Sequence, residues 1–86
     1  MTRYDIQIAS SAERQFRKLQ SSLQQKIKAK ILSLGVNPQP YGSQKLHAAE
    51  AYRIRLGDYR ILYEISDSQK TVYICDIGHR RDIYRS

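Results

Sequence analysis

Arg53, Arg55 and Arg60 lie in a twelve-residue run, Tyr52-Arg53-Ile54-Arg55-Leu56-Gly57-Asp58-Tyr59-Arg60-Ile61-Leu62-Tyr63, that alternates as a β-hairpin does. Gly57-Asp58 supplies a two-residue turn, which sets Leu56 opposite Tyr59, Arg55 opposite Arg60 and Ile54 opposite Ile61. Side chains alternate across a strand, so Tyr52, Ile54, Leu56, Tyr59, Ile61 and Tyr63 share an apolar face. Arg53, Arg55, Arg60, Leu62 and Glu64 share the other. Like charges set directly opposite oppose folding by a few tenths of a kcal/mol or more. Such a cluster suits an anion, because a guanidinium binds phosphate oxygens with two parallel hydrogen bonds and its plane stacks on bases. The bland reading of any one arginine is a solvated strand position. Three converging arginines favour a phosphodiester platform.

The tail Gly78-His79-Arg80-Arg81-Asp82-Ile83-Tyr84 adds proton-transfer candidates. His79 titrates near pH 6.5 when unperturbed, in the range useful for acid–base work. If Ser66 pairs with Thr71, then Tyr73, Cys75, Ile77 and His79 join the arginine face, and Asp76 falls on the core face and needs a partner there. Neighbouring guanidinium groups would favour the Tyr84 phenolate. Tyr84 also suits stacking on a base or anchoring the tail. Cys75 reads as structural, and His47 as incidental.

These residues need a scaffold. Tyr4, Ile6 and Ile8 alternate with Asp5 and Gln7, predicting a strand over about 3–9. Ser10-Ser11-Ala12-Glu13 offers a capping box for a first helix. Ser21-Ser22 opens a second, with Leu23, Ile27, Ile31 and Leu34 as its apolar stripe and Gly35 as its C′ residue. Residues 35–45 carry Pro38, Pro40 and Gly42 and read as a loop. Strands follow at about 51–56, 59–66 and 71–78. The expectation is one α+β domain over residues 1–86, ordered β-α-α-β-β-β, with an antiparallel-type sheet and a helical hairpin packed on one face.

Composition narrows the function classes. Fifteen Lys+Arg against eight Asp+Glu give a net charge of +7, which fits a phosphate-rich or acidic partner. One cysteine and two histidines make neither a disulfide framework nor a convincing zinc site, and no cofactor is expected. No apolar run approaches the roughly 20 residues of a membrane span. A cytoplasmic protein is expected.

The hairpin motif, with Leu46 before it and Ile77-Gly78-His79-Arg80-Arg81-Asp82-Ile83-Tyr84 after it, resembles the RelE/ParE superfamily of bacterial toxins over nearly the whole chain. The resemblance implies the toxin of a type II toxin–antitoxin system. In the RelE branch that toxin is a ribosome-dependent, metal-independent endoribonuclease that cuts translated mRNA. By resemblance, Arg53 and Arg55 match residues that bind the RNA backbone, with Lys45 and Arg81 completing the RNA-binding set. Arg60 matches the arginine that stabilises the reacting phosphate. Arg80 matches one assigned to phosphate or leaving-group chemistry, Tyr84 matches a C-terminal base or stacking residue, and His79 stands where another basic group is common. The spacing from Arg80 to Tyr84 is shorter than in the best-known RelE toxins. Implied partners are a cognate antitoxin with an acidic segment, the ribosome and mRNA, and operator DNA through the toxin–antitoxin complex. The alternatives are a ParE-like inhibitor of DNA gyrase and a nucleic-acid-binding module without activity.

Overall fold

A computed structural model describes residues 3–46 and 51–79. Its elements in chain order are β1 (Asp5–Ile8), α1 (Ser10–Arg17), α2 (Ser21–Val36), β2 (Gln44–Lys45), β3 (Ala51–Leu56), β4 (Tyr59–Ser66) and β5 (Thr71–His79). They form an α+β fold with a five-stranded sheet in the order β1-β5-β4-β3-β2. Pairings among β2, β3, β4 and β5 are antiparallel, whereas β1 lies parallel to β5. The sheet is therefore mixed rather than wholly antiparallel. Two helices between β1 and the rest return the chain to the far edge, and that crossover permits parallel pairing.

The apolar face of the central hairpin meets the helices as its alternation demands. Tyr52, Ile54, Ile61, Tyr63, Ile65, Val72, Ile74 and Ile77 are buried together with Ala12, Ile27, Ile31 and Leu34 from the helices. Among the described residues, Tyr63 is the largest fully buried side chain. Its ring stacks on Tyr52 at 5.7 Å, and its hydroxyl donates to the Pro38 carbonyl at 2.7 Å. Gln39 Nε2 donates to the Tyr52 hydroxyl at 3.0 Å. The two tyrosines thereby tie the Pro38–Gln39 stretch to the sheet and bring the chain round to β2, a short edge strand in the segment read as loop.

Helix ends depart from the sequence expectation. Ala9 and Gln20 are the N-caps, and neither makes a side-chain capping bond. Glu13, instead of closing a capping box, forms an ion pair with Arg17 one turn on. Gln24 takes on the end of α1, its Nε2 donating to the carbonyls of Phe16 and Leu19 at 3.1 and 3.0 Å. Gly35 lies inside α2 rather than beyond it. A Cβ there would sit 3.0 Å from the Tyr4 carbonyl, so this glycine lets the chain before β1 pass close to the helix. Gly57, at the first position of the β3–β4 turn, has φ +62°, the left-handed conformation that favours glycine.

Tyr4 secures the other end of the sheet. Its hydroxyl donates to Asp67 Oδ1 at 2.6 Å, and the Lys70 ammonium sits 5.3 Å from its ring centroid. The hydrogen bond to Asp67, above all, holds the Tyr4 phenol above its usual range, and burial does the same at Tyr63. Both folded-state pKa values lie above the unfolded value of about 10. Their stabilisation is complete below that pH and is lost as pH rises through the folded values. The urea midpoint is therefore expected to fall between pH 9 and pH 11.5, and to fall less in Tyr4→Phe.

Candidate functional site

The hairpin register places Arg55 opposite Arg60 and Arg53 opposite Leu62 on the sheet face away from the helices, as the turn position predicts. Arg55 is exposed, Arg53 is half-buried and Arg60 retains 5% of its accessible surface. On β5 the partner of Arg60 is Gly78. A residue with no side chain thus flanks this guanidinium on one strand and a second arginine flanks it on the other. Arg53 donates from Nη2 to Gln44 Oε1 at 2.7 Å, which steers its fork along the edge of the face.

The second hairpin contains a feature that alternation does not reveal. Its register runs regularly from Ser66↔Thr71 to Tyr63↔Ile74, then skips a residue so that Leu62 pairs with Asp76 and Ile61 with Ile77. Cys75 is the extra residue of a β-bulge, and every position after it changes face. Ile77 turns inward to the core and Asp76 outward beside Leu62. Asp76 is thus not a core residue, and its Oδ1 accepts from the Ile77 N–H at 3.0 Å. The same N–H also donates to Gln15 Oε1 at 3.0 Å, so α1 helps satisfy the irregular ladder.

The bulge corrects the placement of His79. Its partner is Tyr59, whose ring it meets edge-on at 5.4 Å, and it lines a groove of about 360 Å³ with Gln15, Lys18 and Leu19 on the helix side. His79 therefore does not join the arginine face. Lys45, exposed on β2, pairs with Tyr52, and Gln44 is the β2 residue registered with Arg53. Sequence reasoning missed Gln44 because β2 is only two residues long. Arg80, Arg81, Tyr84 and His47 lie outside the described residues.

Cys75 is held protonated by burial, reinforced by the Glu64 and Asp76 carboxylates, and is a poor nucleophile. Among the described residues, no three of His, Cys, Asp and Glu come together as a metal site, and no helix is long and apolar enough to cross a membrane. The arrangement is suited to phosphate binding: a fixed cationic centre with flanking arginines on a pleated surface. The Arg55–Arg60 juxtaposition opposes folding. Arg55→Thr is expected to raise stability by about 0.5 kcal/mol, read as a higher urea midpoint. A lower midpoint would show that Arg55 stabilises the sheet.

Comparison with known proteins places the chain in a family. The family model for "ParE toxin of type II toxin-antitoxin system, parDE" matches residues 6–84. Toxin RelG of Mycobacterium tuberculosis is 49% identical over 37 residues, which is 43% of this chain and 42% of RelG, so that match spans less than half of either protein. The mRNA interferase toxin RelE of Escherichia coli is 24% identical over 79 residues, 90% of this chain and 83% of RelE. Among solved structures, the archaeal RelE–RelB complex of Pyrococcus horikoshii contains a chain that superposes with a TM-score of 0.82 at 26% identity, covering 93% of this chain and 97% of that one. The RelBE2 toxin–antitoxin complex of M. tuberculosis gives 0.79 at 26% identity, with 92% and 100% covered. Matched along nearly its whole length, the chain belongs to the ParE toxin family of type II toxin–antitoxin systems, within the RelE/ParE superfamily.

Proposed function

We propose that this toxin is a ribosome-dependent endoribonuclease that cuts translated mRNA without a metal ion. The observation that supports it most is the arginine cluster centred on Arg60, with Gly78 on one flank and Arg55 on the other. In this reading Arg53 and Arg55 hold the RNA backbone. Arg60 donates to the non-bridging oxygens of the scissile phosphate, where negative charge accumulates as the neighbouring 2′-OH attacks phosphorus. The bond from phosphorus to the 5′ oxygen breaks, leaving a 2′,3′-cyclic phosphate and a 5′-OH.

The proton-transfer roles rest on the resemblance. Tyr84 takes the 2′-OH proton, and Arg80 stabilises the leaving 5′ oxygen as it gains a proton through water. A guanidinium stays charged at any ordinary pH, so arginine is confined to electrostatic work. His79, on the helix side, is left out of this chemistry. With so few acid–base groups, the ribosome's contribution is orientation: it holds the 2′ oxygen in line with phosphorus.

The same cationic face accounts for the expected partner, an antitoxin whose acidic segment covers it. RelE-named neighbours were solved with RelB antitoxins. Operator DNA would be met through that complex, and the site of action is the cytoplasm. The family match supports a second reading, gyrase inhibition without RNA cleavage.

Mapping mRNA 5′ ends in a reconstituted translation reaction containing EDTA-washed toxin, alongside a gyrase supercoiling assay, separates the readings. New 5′ ends within translated codons with supercoiling intact are the expected result. Supercoiling inhibition without new ends supports the gyrase reading. RNA affinity with neither effect supports a non-catalytic binding module.

A further inference from the structure

The arginines occupy one end of the outer sheet face. At the other end, beside the β4–β5 turn, Gln7, Glu64, Ser66, Asp67, Thr71 and Tyr73 line a pocket of about 530 Å³, within the range of small-molecule sites. Register aligns its floor in one row: Gln7 on β1 pairs with Tyr73 on β5, which pairs with Glu64 on β4. Tyr73 is 40% exposed on a face where its aromatic neighbours are absent from the row. Glu64 and Gln7 are exposed beside it. The pocket wall is fixed by the Tyr4–Asp67 bond, by the Asp5 N–H to the Lys70 carbonyl at 2.8 Å and by the Gln69 N–H to Ser66 Oγ at 3.3 Å.

We infer that this pocket reads a base of the bound RNA, the base stacking on Tyr73 and donating an amino hydrogen to Glu64. The inference rests on the RNA-cleaving reading above. Three observations argue for a base rather than a phosphate. The carboxylates of Glu64 and Asp67 repel phosphate, whereas an exocyclic amine or ring N–H complements them. An exposed aromatic ring flanked by a carboxylate and an amide is the combination by which single-stranded RNA bases are stacked and read on their edges. The pocket also continues the arginine face: Glu64 is four residues from Arg60 along β4, or about 13 Å at strand rise, a reach of a few nucleotides.

The chemistry sets a preference. Adenine, cytosine and guanine each present an amino group to a carboxylate. Uracil flanks its one base-edge N–H with two carbonyl oxygens, which a carboxylate repels. Wild-type toxin is therefore expected to disfavour uracil about tenfold at one position within a few nucleotides of the cut. Glu64→Gln offers donors as well as an acceptor and is expected to bring uracil to parity. Tyr73→Ala is expected to raise KM about tenfold through lost stacking, with Tyr73→Phe restoring it.

The experiment is cleavage-site mapping on ribosomes translating a library randomised around the cut, comparing wild type, E64Q, Y73A and Y73F. Both variant positions are solvent-facing, and circular dichroism confirms folding. Base profiles that superimpose for wild type and E64Q, with an unchanged KM for Y73A, overturn the pocket and leave the cleavage reading standing. A wild-type protein that cuts no RNA overturns both.

Discussion

Arg60→Ala is expected to slow mRNA cleavage on translating ribosomes by about 10²–10³-fold, the usual cost of removing one preorganised donor to a developing oxyanion. The size of the effect follows from position. Arg60 is central in its row, flanked by Arg55 and Gly78, and only 5% exposed. A guanidinium so enclosed acts through a lower effective dielectric than the exposed Arg55 does. Arg60→Lys keeps the charge and loses the planar fork, so it is expected to recover only part of the rate. Primer extension on a defined message gives the rates, and circular dichroism shows whether each variant is folded. Wild-type cleavage by a folded Arg60→Ala protein would remove Arg60 from the reaction and with it the centre of the proposed site.

Tyr63→Ala is expected to remove about 3–5 kcal/mol of stability, a large share of the roughly 5–15 kcal/mol that holds a small domain. Its ring is 1% exposed, stacked on Tyr52, and its hydroxyl anchors Pro38. Removal opens a cavity at mid-sheet and frees the loop leading to β2. Because Gln44 of β2 holds Arg53, the loss also loosens one edge of the arginine face. Tyr63→Phe isolates the hydroxyl and is expected to cost about 1 kcal/mol. Urea unfolding measures both. A Tyr63→Ala protein with the wild-type midpoint would show that the core does not rest on this ring.

The β3–β4 hairpin was legible residue by residue because its turn is. Gly57-Asp58 fixes the register, and alternation then assigns each arginine to its face. The β4–β5 hairpin was legible only up to Ile74. A bulge is one unpaired residue, and Cys75 carries no glycine or proline to mark it, so alternation extended through it put His79 and Asp76 on the wrong faces. Local pattern gave β1 its period but not its partner: nothing in Ile6 and Ile8 says that they lie parallel to Val72 and Ile74. The serines before each helix looked like caps, yet helix starts at Ser10 and Ser21 leave Ala9 and Gln20 in those positions. Gln15 and Gln24 took up free backbone groups through contacts that only tertiary packing creates.

The parallel pairing of β1 with β5 bears on when the protein becomes complete. Tyr4 bonds to Asp67 across 63 residues of sequence, while β3, β4 and β5 are joined by tight turns. Local hairpins close at little entropic cost and form early; contacts this distant form late. During synthesis β1 and both helices emerge first and must wait for the strand against which they pack. That strand carries Gly78, the neighbour of Arg60, and it follows β1 and both helices off the ribosome. The order of the strands thus withholds the complete arginine face until β5 has been made, after the other described elements of the fold.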